Sequence, residues 1–110
     1  MMHNPTIELV QFRLQSGVDE EAFLAAVNDM QAVITRLPGF LSRELLRGDD
    51  GLWVDLVHWQ SKVDALAAAE AFGTMPELAA FASMIDETHM TMLHFARAHH
   101  CLPYSTAQTD

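Results

Sequence analysis

The sequence predicts a single α+β domain in the order strand, helix, strand, strand, helix, short helix, strand. Three observations carry this: short β-rich runs, an apolar stripe at helical spacing between the first two of them, and an alanine-rich segment with a capping signal before the last. A chain of 110 residues bounds the answer to one core that buries roughly two-thirds of the unfolded surface. We assign residues 1–97 to the domain and 98–110 to a carboxy-terminal tail.

The first strand is expected over Ile7 to Leu14, which ends at Gln15-Ser16-Gly17. The first helix follows. Asp19 suits the helix cap, Glu20 and Glu21 suit the positive helix end, and Phe23, Val27, Met30, Ile34 and Leu37 recur at spacings of 4, 3, 4 and 3. Pro38-Gly39 stops this helix, because proline disfavours helical geometry at the residue before it. Strands over about Phe40 to Arg47 and Leu52 to Trp59 flank Gly48-Asp49-Asp50-Gly51, a hairpin turn. Ser61 with Asp64 resembles a capping box and opens the alanine-rich second helix, which runs to Phe72 before Gly73. Thr74-Met75-Pro76-Glu77 reads as a second box opening a short helix with Leu78, Phe81, Ala82 and Ile85 on one side. The last strand is expected over about Thr88 to Ala96. The tail, with Pro103 and mostly small or polar residues, is either disordered or an arm laid on a neighbour.

Bulk properties exclude several classes. No apolar run approaches the roughly 18–20 residues needed to cross a bilayer. Met1-Met2-His3-Asn4-Pro5 lacks the basic and apolar regions of a signal peptide, and Cys101 has no second cysteine to pair with, so the expected compartment is the cytoplasm. A formal charge of −9 repels nucleic acid and anionic membranes, so neither is an expected partner.

Two βαβ units predict a four-stranded antiparallel-rich sheet with the helices on one face and the first and third strands parallel at its centre. The strands are apolar on both faces. Leu52, Val54 and Leu56 oppose Trp53, Val57 and Trp59, while Val10, Phe12 and Leu14 oppose Ile7 and Leu9. Helices cover one face only, so a second copy is the economical cover for the other, and a homodimer is expected.

The element order, the Pro38-Gly39-Phe40 turn and the run Val57-His58-Trp59-Gln60-Ser61 entering the second helix resemble the dimeric α+β barrel superfamily. Within it the chain is most similar to the antibiotic biosynthesis monooxygenase-like group, over about Ile7 to Ala96, with Trp59 matching a tryptophan that commonly ends the third strand. The resemblance implies a ferredoxin-like βαββαβ domain whose sheet packs on a second sheet. It also implies a cofactor-independent monooxygenase or isomerase acting on a small hydrophobic or aromatic molecule; the alternative is a non-catalytic dimer that binds a ligand or regulates a partner. Haem-degrading members place a tryptophan and a histidine in and just beyond the second helix. Here that region reads Ala-Leu-Ala-Ala-Ala-Glu-Ala-Phe, with no histidine between His58 and His89, so no axial ligand carries over and no cofactor is expected.

Strand alternation sorts the polar residues. Glu8 shares a face with Val10, Phe12 and Leu14, His94 with Met90 and Met92, and His58 with Leu52, Val54 and Leu56. We assign these greasier faces to the helix side and expect Glu8, His58 and His94 as the catalytic residues. If the last strand pairs antiparallel with the first, Glu8 and His94 are cross-strand neighbours. A carboxylate there raises the imidazole pKa and fixes its tautomer, which makes His94 the proton acceptor. The plain alternative is a satisfied pair that only completes the core. Trp59, Phe72, Phe81, Met75 and Met84 are the candidate walls of an aromatic-substrate pocket, or simply core.

Arg13, Arg43, Arg47 and Asp55 fall mostly on the opposite set and read as charge pairs facing the partner copy, or as an arginine site for a carboxylate. For metals, His99-His100-Cys101 offers ligand types, but adjacent residues diverge and no zinc-like second pair exists. Met1-Met2-His3 is a terminal chelator of little meaning, so no functional metal is expected.

Overall fold

The first strand, β1 (Thr6–Phe12), leads to helix α1 (Glu20–Ile34) and then to the hairpin of β2 (Phe40–Arg47) and β3 (Trp53–Trp59). Helix α2 (Lys62–Phe72), a 3₁₀ turn at Pro76–Leu78 and the short helix α3 (Ala79–Ser83) come next. A second 3₁₀ turn at Glu87–His89 precedes the last strand, β4 (Thr91–Ala96). This computed structural model describes residues 5–104; Met1-Met2-His3 and the end of the tail lie outside the described residues.

The sheet order is β2-β3-β1-β4, and every neighbouring pair is antiparallel. The expectation that β1 and β3 run parallel is therefore corrected. Helix α1 crosses over from β1 to β2, so those two share a direction; the hairpin then reverses the chain, and β3, inserted between them, runs against both.

Local signals act as their chemistry dictates in most places. The Asp19 carboxylate accepts from the Ala22 amide at 3.3 Å, and the Ser61 hydroxyl accepts from the Asp64 amide at 3.1 Å. Helix α1 buries Phe23, Ala26, Met30 and Ile34 and ends at Ile34, before the proline, with Leu37 held in the turn that follows. Gly39 lies at φ +80°, and a Cβ there would collide with the Asp64 carboxylate, so the turn between α1 and β2 packs directly on the start of α2. The second capping box does not form. The Thr74 hydroxyl donates back to the Ala71 carbonyl of α2, and the proline opens a 3₁₀ turn from Met75 with no side-chain cap. The last strand begins three residues later than expected, because Asp86 accepts from the Thr88 amide and winds Glu87–His89 into a turn.

The core lies between the helices and one face of the sheet. Phe12 and Trp53 are partners across β1 and β3, and Phe23 packs edge-on to both rings, with Phe81 stacked on Phe23 at 5.6 Å. The opposite face carries Ile7, Leu9, Leu56, Leu93 and Phe95, and among the described residues no helix covers it. Leu93 and Phe95 there stay 48% and 47% exposed. Residues 97–104 carry neither helix nor strand, and Leu102 and Tyr104 are exposed. Among the described residues no helix is long and apolar enough to cross a membrane.

Candidate functional site

Antiparallel register sets Glu8 opposite His94 across β1 and β4, and both side chains turn toward the helices. The imidazole Nε2 lies 3.1 Å from Glu8 Oε2, and the indole Nε1 of Trp59 donates to Glu8 Oε1 at 3.2 Å. Trp59 and Glu8 are buried, while the His94 side chain keeps 15% of its surface exposed. Burial pushes the Glu8 carboxyl above the ordinary glutamate range, only partly opposed by the Trp59 and His94 hydrogen bonds and by the His94 charge. Glu8 is thus a proton-binding group held between a fixed donor and an imidazole that reaches solvent.

Glu8 forms part of the wall of a cavity of about 560 Å³ between the sheet and the segment running from α2 to β4. Phe72, Phe81 and Met75 supply apolar surface, and Ala68 and Ala69 let α2 approach the sheet closely enough to form a roof. The Phe72 and Phe81 rings meet edge to face at 6.2 Å. Met90 and Met92 complete the wall beside β4 and stay exposed. The volume is in the range of pockets that take drug-sized ligands, roughly 300–1,000 Å³.

The structure distributes the remaining expected residues differently. His94 stands behind Glu8 and is not part of the cavity wall, so Glu8 is the member of the pair that meets the space. Trp59 is fully buried beneath the cavity as the hydrogen-bond donor to Glu8, and Met84 packs against the core without lining the cavity.

His58 is a correction. It pairs with Ile7 and Ser42 and therefore points to the uncovered face of the sheet, because the helix side of β3 is taken by Trp53, Asp55, Val57 and Trp59. Its Nδ1 is buried and has no hydrogen-bond partner among the described residues.

The charged residues assigned to a partner-facing set are also corrected. Arg43 and Asp55 lie on the helix side, where Arg43 donates through Nε and Nη2 to the two carboxylate oxygens at 2.7 and 2.6 Å. The guanidinium also lies over the Phe81 ring, 5.7 Å from its centroid. Arg47 lies over Trp53 and pairs with Glu20 of α1, and Arg13 donates to the Asp50 carbonyl in the hairpin turn at 2.7 Å. These arginines have partners within the chain rather than forming an open carboxylate site.

Sequence reasoning passed over Asp55 as a wall residue and, around the expected Met75, Gly73, Thr74, Pro76 and Ala79 as part of the roof. The signal for Asp55 was its two-residue spacing from Trp53 and Val57 on one strand face. Among the described residues no group of three or more His, Cys, Asp or Glu side chains is arranged to hold a metal ion, and Cys101 is free and exposed.

The antibiotic biosynthesis monooxygenase family model matches residues 5–84. No curated protein matches the chain. Solved structures share the fold at low identity. The cofactor-independent oxygenase SnoaB of Streptomyces nogalater is 20% identical with a TM-score of 0.71, the match covering 92% of this chain and 99% of that one. A monooxygenase from the gene ActVA-Orf6 of Streptomyces coelicolor, in complex with nanaomycin D, is 21% identical at a TM-score of 0.70, covering 92% and 94%. The heme-degrading protein Rv3592 of Mycobacterium tuberculosis is 20% identical at 0.61, covering 93% and 100%.

Proposed function

This chain belongs to the antibiotic biosynthesis monooxygenase family, and on that premise we propose that it is a dimeric enzyme that oxygenates a hydrophobic, aromatic small molecule without a bound cofactor. The observation that carries the proposal is Glu8: a buried carboxyl with a raised proton affinity, on the wall of a mostly apolar cavity, backed by His94. A base in that position removes a proton from an acidic ring CH₂ or hydroxyl of the substrate. The resulting electron-rich anion is oxidised by dioxygen itself. Over the whole reaction the CH₂ loses both hydrogens and becomes a carbonyl carrying one oxygen atom, and the other oxygen leaves as water. Trp59 keeps the Glu8 carboxylate oriented, and His94, part-exposed, passes the proton on to solvent.

The dimer is proposed on the uncovered sheet face. Leu93 and Phe95 are large apolar side chains left about half exposed there, and the unpartnered Nδ1 of His58 lies on the same face. A second copy offers both apolar cover and a hydrogen-bond partner.

The test is oxygen uptake with 1,8-dihydroxyanthrone, which has an acidic ring CH₂ between aromatic rings. The expected result is one O₂ consumed per quinone formed, by protein whose absorbance spectrum carries no haem or flavin band. Binding without oxygen uptake overturns the oxygenase reading in favour of a ligand-binding dimer. A Soret band that survives desalting overturns the cofactor-free chemistry.

A further inference from the structure

The cavity wall holds five polar side chains, Glu8, Asp55, Thr74, Ser83 and Glu87, and neither lysine, arginine nor histidine. The hydroxyl hydrogens of Thr74 and Ser83 are used, donated to the carbonyls of Ala71 and Ala80. Whichever of Glu8 and His94 holds their shared proton, it lies between Oε2 and Nε2 rather than on the cavity side. The Arg43 charge is committed to both oxygens of Asp55. Each carboxylate oxygen has lone pairs for a second bond, so what remains for a ligand is a set of acceptors.

The acceptors are spaced. Glu8 stands opposite Val57 and Asp55 opposite Val10, which makes the two carboxyl residues diagonal neighbours across β1 and β3, a separation of about 7–8 Å. Between and above them the surface is apolar, from Val10, Val57 and Phe81. The charges of Glu8 and Asp55 are balanced by His94 when it is protonated and by Arg43, so these two positions call for donors rather than for a cation.

From this we infer that the cavity selects an uncharged ligand bearing hydrogen-bond donors, such as hydroxyls, at both ends of a rigid apolar body, and rejects ligands bearing a carboxylate. A carboxylate here meets no side-chain donor among the wall residues and faces Glu87 as an unbalanced like charge. The inference rests on the reading of this cavity as the ligand site and adds the class of ligand to it.

Calorimetric titration of the full-length protein at neutral pH with four naphthalenes tests it: 2,7-dihydroxynaphthalene, 2,7-dimethoxynaphthalene, 2-naphthoate and 2-naphthylmethylammonium. The diol is expected to bind at least about tenfold more tightly than the dimethoxy ether, whose shape is similar but which has no donors. Naphthoate is expected to bind more weakly than the ether. Naphthoate or the ammonium matching the diol overturns the inference, as does an ether that equals it. Failure of all four to bind removes the cavity as a ligand site and takes the proposed function with it. Intact selectivity without oxygen uptake leaves the inference standing and removes only the oxygenase. Glu8→Gln brings an N–H to the wall, so the diol should lose affinity and naphthoate gain it; unchanged affinities for both would overturn the role given to Glu8.

Discussion

Replacing Arg43 by methionine leaves Asp55 without its cation on the helix side of the sheet. The two side chains are 9% and 10% exposed and share two short hydrogen bonds, so this is a buried pair rather than a surface one. An exposed pair contributes at most about 1 kcal/mol, whereas removing one member of a buried pair costs about 3–5 kcal/mol, because the other charge is left uncompensated. Loss of the guanidinium from the face of Phe81 adds about 0.5–1 kcal/mol. Against a total stability of about 5–15 kcal/mol, the single variant gives up roughly a quarter of it or more. The double variant Arg43→Met/Asp55→Leu removes both charges and is expected to lie within about 2 kcal/mol of the parent. Urea unfolding followed by the fluorescence of buried Trp53 and Trp59 measures both. A loss below about 1 kcal/mol in the single variant would refute the buried pair on the helix side of the sheet.

Three further outcomes are expected. Light scattering at micromolar concentration gives a dimer mass for the parent and a monomer mass for Phe95→Asp, which puts a charge on the uncovered sheet face; a parent monomeric throughout would sink the dimer. Gly39→Ala loses about 2–3 kcal/mol in the same urea assay, since its φ of +80° disfavours a side chain and the new methyl meets the Asp64 carboxylate beside the α2 cap; a neutral effect would show that the turn does not bear on α2. Trp59→Phe removes the hydrogen bond that most lowers the Glu8 pKa, so Glu8 titrates still higher in a carboxyl NMR titration. The sign for stability follows. A raised carboxyl binds its proton more tightly in the folded state, so its contribution is least unfavourable below the ordinary glutamate pKa and becomes more unfavourable as pH rises through the folded value; Trp59→Phe widens that window upward. An unchanged Glu8 titration would mean that the indole contact is absent in solution.

Much of this architecture was legible because alternation and capping are local. The register that pairs Glu8 with His94 follows from two-residue periodicity on β1 and β4 once the strands are antiparallel. The faces of β3 were not legible in the same way. Leu52, Val54 and Leu56 are as apolar as Trp53, Val57 and Trp59, so counting hydrophobic residues cannot orient a strand that is apolar on both sides. Size could have done so, because the two indoles need the deep side next to α1 and α2. Arg43 and Asp55 were read as charge-pairing residues but placed on the partner-facing side for the same reason: once the face of β3 is misassigned, its charges go with it. The roof of the cavity depends on where the chain turns after α2, and there Thr74 bonded backward instead of capping forward. Such competition between two local hydrogen bonds is decided by packing.

The proposed chemistry needs Glu8 as the group that meets the substrate, and the pH profile of steady-state turnover tests this most directly. With 1,8-dihydroxyanthrone as substrate, kcat of the parent should rise with pH through an ionisation above the ordinary glutamate range, as the carboxyl loses its proton. Glu8→Gln should lose that ionisation together with about 10²–10⁴-fold in kcat. A Glu8→Gln variant that keeps the parent's kcat and pH profile would contradict the assignment outright.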